Sequence, residues 1–301
     1  MPTLLLVNPA AGHGRAERLA AKAEAACGRY WREVRVAVTR APGEGATLVR
    51  EAIGSGCARV LALGGDGTVH EAANGILSAP LEQRPALGVI PVGTGNDYAK
   101  LSGTWGQSIT EAVGTLSKAR VARFDAGQAW GEYFINSIGI GFDAEVARRV
   151  SGYKRLRGTA AYLGAALATF RSFEAPRLAV ESGLDSFEDT TLLLEVGIGA
   201  VVGGGFRLTP EARPDDGLFD VCAIRSQGLG GFLVKLPLAM FGRHGGLNGV
   251  RMFRTGKLVV RNVSGAPIVA QLDGEVRTAA GPLEITQYAG ALPVLVAESR
   301  P

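Results

Sequence analysis

Leu63-Gly64-Gly65-Asp66-Gly67-Thr68-Val69-His70-Glu71 is the stretch that decides how this chain folds. The apolar run Arg59–Leu63 reads as a buried strand and stops in three glycines within four residues. Behind them Val69, Ala72, Ala73, Ile76 and Leu77 recur at i, i+3, i+4, i+7 and i+8, one face of an α-helix. A strand that passes directly into a helix is half of a β-α-β unit. Glycines let the main chain approach an anion, and the helix start offers unpaired N–H groups with about half a positive charge. Asp66 would repel a phosphate unless a cation lay between, so the run reads as a nucleotide–Mg²⁺ site. Thr68 and Glu71 also have the spacing of a capping box, which would close the helix start without any ligand.

The same alternation extends on both sides. Thr3–Val7, Val34–Val38 and Leu87–Val92 are apolar runs that end in Gly- or Pro-containing turns, with helical patterns after them. Ser108 and Glu111 open a further helix with a capping box, and Ile109, Ala112, Val113 and Leu116 form its apolar face. Four such units in succession predict a parallel sheet with helices on both faces, whose ligand crevice lies at the carboxyl ends of the strands. Two more of those ends carry unusual chemistry. Asn8-Pro9-Ala10-Ala11-Gly12-His13-Gly14 has G-x-G spacing, but Glu17 stands where a dinucleotide fingerprint wants Gly or Ala. Pro91-Val92-Gly93-Thr94-Gly95-Asn96-Asp97 again joins glycines, a hydroxyl and a carboxylate. The chain has no G-x-x-x-x-G-K-[S/T], so P-loop and Rossmann oxidoreductase readings are disfavoured.

After about Arg123 the pattern changes to short β-rich runs, Tyr133–Ile138, Leu178–Glu181, Leu192–Ile198, Phe219–Ile224, Leu258–Arg261 and Ile268–Leu272. Helical insertions are expected near Phe142–Arg149 and Arg157–Phe170. This predicts an antiparallel β-sandwich domain with helical insertions behind a Rossmann-like α/β N-terminal domain. The expected boundaries are 1–124, 125–289, and a C-terminal strand within 290–301 that returns to the first domain. Gly139-Ile140-Gly141-Phe142-Asp143-Ala144 fits G-x-G-x-x-A but lacks a βαβ context and is discounted.

Of 301 residues, 47% are hydrophobic and 20% charged, enough for real cores in two domains. Cys27, Cys57 and Cys222 have no metal or redox spacing and read as buried small hydrophobes in a reducing cytosol. His13, His70 and His244 likewise have no metal-ligand spacing and read as surface or packing residues. The N-terminus does not look like a signal peptide, and no apolar run is long enough to span a bilayer. A net charge of +4 suits acidic partners such as nucleotide phosphates or anionic lipid, not nucleic acid in particular. Pro214-Asp215-Asp216-Gly217-Leu218-Phe219-Asp220 clusters oxygens around a Gly turn and suits either a hard cation or an Asx-turn opening a strand. Gln271-Leu272-Asp273-Gly274-Glu275 on its own reads as a hairpin turn.

Taken together these segments resemble the soluble diacylglycerol kinase catalytic family of bacterial lipid kinases, related to the sphingosine and ceramide kinases. Gly93-Thr94-Gly95-Asn96-Asp97 and Asp216-Gly217-Leu218-Phe219-Asp220 make the match specific, since Gly-Gly-Asp-Gly-Thr is shared with NAD kinases. The resemblance implies ATP and Mg²⁺ as cofactors and a lipid hydroxyl, such as that of diacylglycerol, as acceptor. It carries nucleotide contacts onto Asn8, Thr39, Gly65, Asp66, Gly67, Thr68, Glu71 and Thr94. It places a structural Mg²⁺ on Asp216 with the main-chain carbonyls of Arg213 and Leu218. Asp66, Asp97, Asp273 and Glu275 would surround the transferred phosphoryl group, with the general base in the Asp273/Glu275 pair and the choice between the two open. Lys154–Phe170 and Phe232–Arg243 would touch the bilayer of a cytoplasmic, peripherally bound protein, and a homodimer is left open. The rival readings are an NAD kinase and a non-catalytic lipid- or nucleotide-binding protein on the same fold.

Overall fold

A computed structural model describes residues 2–93, 95–152, 168–170, 172–183, 185–203 and 205–297. Thr94 and most of the expected bilayer segment Lys154–Phe170 lie outside the described residues, as does nearly all of the helix expected at Arg157–Phe170. The chain divides into two units, Met1–Asp125 with Gly290–Pro301, and Ala126–Ala289.

The first unit is a parallel sheet. β1 (Thr3–Val7) pairs with β2 (Val34–Val38) on one side and β3 (Arg59–Gly64) on the other, and β3 pairs with β4 (Ala86–Pro91). The end of the chain's last strand, β15 (Leu283–Val296), adds to β4 in parallel through Val294 and Leu87. Side chains alternate between faces. Leu5, Val7, Leu61, Leu63 and Ile90 pack with α1 (Ala11–Cys27) and α5 (Ile109–Ser117). On the other face α2 (Glu44–Gly54) lies against α3 (Asp66–Leu77), so closely that a Cβ on Gly75 would meet Val49 at 2.7 Å. The apolar positions expected to form one face of α3 are all buried. Ser108 and Glu111 form the expected capping box on α5.

The capping box expected from Thr68 and Glu71 is not there. α3 starts three residues earlier, at Asp66, behind an extended Gly65 that offers no side-chain cap. Glu71 has been recruited by another helix, since its carboxylate accepts the N–H groups of Gly43 and Gly45 at the start of α2, both at 2.8 Å.

The second unit is sheet-rich. β5 (Arg120–Ala129) brings the chain into it and pairs with β6 (Glu132–Phe134). β9 (Phe187–Gly197) is long enough to serve two layers. Its first half pairs with β8 (Arg177–Glu181), and its second half lies between β7 (Ser137–Gly141) and β10 (Phe219–Arg225). β11 (Val250–Thr255) extends β10, β12 (Lys257–Asn262) joins β8 to β15, and β13 (Ile268–Leu272) joins β7 to β14 (Glu275–Ala279). All these pairings are antiparallel. Ile138, Val196, Val221 and Leu272 from one layer and Val180, Val260 and Ile285 from the other share one core. Among the described residues the helical insertions are α6 (Phe142–Gly152) and α7 (Leu229–Met240), with residues 168–170 also helical. Gly139–Ala144 is a strand entering α6, in antiparallel rather than βαβ surroundings.

Candidate functional site

β1, β3 and β4 run parallel in neighbouring register, so the loops after them emerge side by side. They touch main chain to main chain. A Cβ on Gly12, whose φ is +59°, would stand 2.2 Å from the carbonyl oxygen of Val92. One on Gly93 would stand 2.5 Å from the Cα of Gly65. No other residue fits either place, and the glycines serve this contact before any ligand arrives. The start of α3 is the floor of this edge, where Asp66 and Gly67 carry helix N–H groups without intrahelical partners.

Asp66 is steered into the same edge. Its Oδ1 accepts the N–H of Tyr98 at 3.3 Å. Its Oδ2 and that of Asp97 lie 2.8 and 3.9 Å from the point a Cβ on Gly95 would take. Burial, and then the charge of Asp97, push the Asp66 carboxyl up to about 6, against the pull of the Tyr98, Asn96 and Asp97 amides. Asp97 opens α4 (Asp97–Ser102) and its Oδ1 pairs with Lys100 at 2.6 Å. Two carboxylates that repel each other beside a helix N-terminus are a donor set suited to a hard divalent cation, and the residues fit Mg²⁺.

The other expected nucleotide residues divide. Asn8 bends its own loop by accepting the N–H of Ala10 at 3.1 Å, and Thr39 is buried at the end of β2, with its N–H on Val7. The hydroxyl of Thr68 is buried against Gly64 with no hydrogen-bond partner, and Glu71 holds α2 as described. The Glu71 side chain thus serves the framework, while the Thr68 hydroxyl is left buried without a partner.

In the second unit Asp273 and Gly274 form the two-residue turn between β13 and β14, with φ of +50° and +95°, the geometry an Asp-Gly pair favours. The Asp273 carboxylate is committed to main chain. Oδ1 accepts the N–H groups of Asn136 and Ser137 at 2.8 and 3.1 Å, and Oδ2 accepts that of Ile135 at 2.9 Å. Glu275 begins β14 with its side chain 49% exposed and 3.9 Å from Arg277.

The Asp216 loop is the expected Asx-turn, with Oδ1 accepting the N–H of Leu218 at 3.2 Å just before β10. Its Oδ2 accepts the Arg254 guanidinium, whose Nε lies 3.3 Å from Asp220. This loop therefore attracts a cation, and the cation it holds is Arg254. A Mg²⁺ on Asp216 with the Arg213 and Leu218 carbonyls would have to displace it.

A feature that sequence reading missed is an apolar cavity of about 60 Å³ walled by Phe142, Leu193, Phe206, Ile224, Phe232 and Leu236, with Asp143, Gln227 and Lys235 as its polar lining. Phe142 stands edge-on to Phe170, Phe173 and Phe232 at 6.1, 5.6 and 5.3 Å. These residues come from six separate segments, so no local pattern announces them.

Residues 2–129 match the diacylglycerol kinase catalytic domain, and residues 136–296 match the YegS C-terminal NAD kinase beta sandwich-like domain. A Pseudomonas fluorescens protein named "probable lipid kinase YegS-like" is 32% identical over 95% of this chain and 92% of its own length. The diacylglycerol kinase of Bacillus subtilis is 35% identical over 62% of this chain, and the match spans 61% of that protein. A solved structure from Bacillus anthracis str. Sterne superposes at a TM-score of 0.82, with 25% identity over 99% of this chain and 98% of that one. A second from that organism, described as a diacylglycerol kinase, has a TM-score of 0.77 at 23% identity, covers 99% of this chain and 97% of its own, and shares the fold. Two domain matches that between them take in nearly the whole chain, with a relative aligned along almost its full length, place this chain in the family that joins a diacylglycerol kinase catalytic domain to a YegS-type C-terminal domain.

Proposed function

We propose that the protein transfers the γ-phosphate of ATP to a lipid hydroxyl. The observation that carries this reading is the Asp66–Asp97 pair at the glycine-packed strand ends, in which Lys100 neutralises Asp97 while Asp66 has main-chain amides alone, beside helix N–H groups without intrahelical partners. Phosphoryl transfer asks chiefly for positioning and charge neutralisation, with a group to accept the alcohol's proton. Asn8, Gly65, Gly67 and Thr94 would take the nucleotide, largely through main chain. Asp66 and Asp97 would hold Mg²⁺, which neutralises charge on the transferred group when bound.

Glu275 is the better base of the Asp273/Glu275 pair. A base must present a lone pair to the substrate, and Asp273 spends its oxygens on three amides while Glu275 is half exposed. The apolar cavity, at about 60 Å³, is several-fold smaller than an ordinary ligand pocket, so a lipid tail would enter only if its phenylalanines moved apart. α7 gives Phe232, Leu236 and Ala239 to that cavity and leaves Leu229, Leu233 and Val234 exposed on its other sides, with Phe241 exposed just after it. Such a helix suits a peripheral membrane contact, and among the described residues no helix is long and apolar enough to cross a membrane.

The test incubates the protein with labelled ATP, Mg²⁺ and vesicles or mixed micelles of diacylglycerol, phosphatidylglycerol or a sphingoid base. Labelled phospholipid from one of them is expected, and protein should sediment with anionic vesicles. Label on none of these lipids, or label transferred to NAD in a parallel incubation that supplies it, defeats the proposal.

A further inference from the structure

Glu195 lies in the middle of β9 with no exposed surface, between its register partners Gly139 of β7 and Cys222 of β10. Beyond Gly139 the same row reaches Gln271 of β13. Gly139 leaves a gap in this row, and three side chains converge on it. The point its Cβ would take lies 2.4 Å from Asp143 Oδ2, 2.7 Å from Glu195 Oε2 and 2.9 Å from Gln271 Nε2. Asp143 enters from the first turn of α6.

Neither Glu195 oxygen makes a hydrogen bond of normal geometry. Burial, and then the charges of Asp143 and Asp273, push its carboxyl well above the ordinary range, against the pull of the Ser137 hydroxyl. Asp143, Asp273, Ser137, Gln271 and Cys222 are the polar and titratable groups around it, and no Lys or Arg is among the groups that act on it. Ionised, it would be a buried charge without a counter-ion, so the folded chain keeps it protonated.

Gln271 responds to this arrangement. Its amide nitrogen faces the two carboxyl groups, and its amide oxygen, turned outward, accepts the N–H of Gly274 at 2.5 Å. Reversed, the amide would set oxygen against oxygen on the inside and donor against donor at Gly274. The amide thus joins the gap it shares with the two acids to the turn that carries Asp273 and Glu275.

We propose that Glu195 is a positioning residue for the phosphoryl transfer proposed above, acting with Asp143 through Gln271 to hold the Asp273-Gly274-Glu275 turn. Its part in turnover rests on that reading, whereas its hold on the turn can be tested without turnover. The folded chain holds a proton that the unfolded chain releases above about 4.5, so stability falls as pH rises from there toward the folded value. Glu195→Gln has no such proton to lose. Its Tm relative to wild type should therefore gain about 3 °C or more between pH 5 and pH 8. Gln271→Met should speed amide exchange at Gly274 about fivefold, the worth of one hydrogen bond. It should also lower kcat about tenfold or more with the KM for ATP unchanged. Glu195→Gln should keep neutral-pH turnover and lose the alkaline fall in kcat expected of wild type. A Tm difference that does not change with pH, or Gly274 exchange unaltered in Gln271→Met, overturns the inference whatever the wild type phosphorylates. Inactivity of the wild type on every lipid counts instead against the kinase reading.

Discussion

The strand ends of the first unit and the β13–β14 turn of the second are both candidate parts of one chemistry, yet they are built by opposite means. In the first unit the shape comes from side chains that are missing. Gly12 lies on the Val92 carbonyl and Gly93 on Gly65, so the loops interlock through main chain. In the second unit the shape comes from side chains that bind main chain, as Asp273 takes three amides and Gln271 takes Gly274. A glycine-built edge suits a polyanion recognised through N–H groups, while a turn held by side chains can present one carboxylate in one orientation.

The largest effect should come from separating the two carboxylates of the turn. Glu275→Gln is expected to lower kcat by about 10²–10⁴ while Tm and ATP binding stay near wild type. Asp273→Asn is expected to fail differently. Asn tolerates positive φ, so the turn conformation survives, but it offers one acceptor oxygen where three amides now bond. That should cost about 2–3 kcal/mol, or roughly 5 °C or more in Tm. Kinetics with thermal melts on both variants decide it. If Asp273→Asn loses turnover with unchanged Tm, the assignment of the base to Glu275 is wrong.

A smaller and opposite pair of effects is expected at the first unit. The folded chain holds a proton on Asp66 up to about pH 6, whereas the unfolded chain releases it near 3.8. Stability that this group contributes in acid is therefore lost as pH rises through that window, and at neutral pH the charge is a burden on the metal-free protein. Asp66→Asn should raise Tm at pH 7.5 by about 3 °C, an amount reduced because Asn gives up one of the oxygens available to the Tyr98, Asn96 and Asp97 amides. It should at the same time abolish most phosphoryl transfer. Melts at pH 4 and pH 7.5 without metal give the sign, and a Tm that falls at pH 7.5 would show that Asp66 belongs to the framework.

The same contrast explains what could be read in advance. The α/β unit was legible because the strand, the glycines and the helix face of Leu63–Leu77 are contiguous, and each signal is local. Most strands of the second unit were legible as apolar runs. β5, β11 and β14 were not, β11 and β14 because their exposed, polar-rich residues carry no buried stripe, and the single run Tyr133–Ile138 is divided between β6 and β7. Thr68 and Glu71 were misread as a cap because the partner Glu71 actually serves, α2, lies more than twenty residues upstream. Glu195 and Gln271 were invisible for the same reason. Their meaning comes from a register that sets residues 139, 195, 222 and 271 in one row, and no spacing in the chain encodes it.

Arg254 offers the finest test, because at the Asp216 loop a side chain stands where a metal is expected. Asp220 is almost buried, and burial raises its carboxyl while Arg254 lowers it. Arg254→Met removes the cation and leaves both carboxylates facing each other, a loss of about 1 kcal/mol at a pair this exposed, or some 2–4 °C. The measurement belongs in the Asp66→Asn background, where the carboxylate pair of the first unit has lost one of its members and should no longer respond to Mg²⁺. There, millimolar Mg²⁺ should recover part of the Arg254→Met loss and leave the Arg254 protein unmoved, since guanidinium and metal compete for the same Asp216 oxygen. Should Mg²⁺ instead raise the Tm of the Arg254 protein as much, the loop has room for both cations. The oxygens of residues 213–218 would then be a metal site in their own right, built from main chain like the strand ends of the first unit.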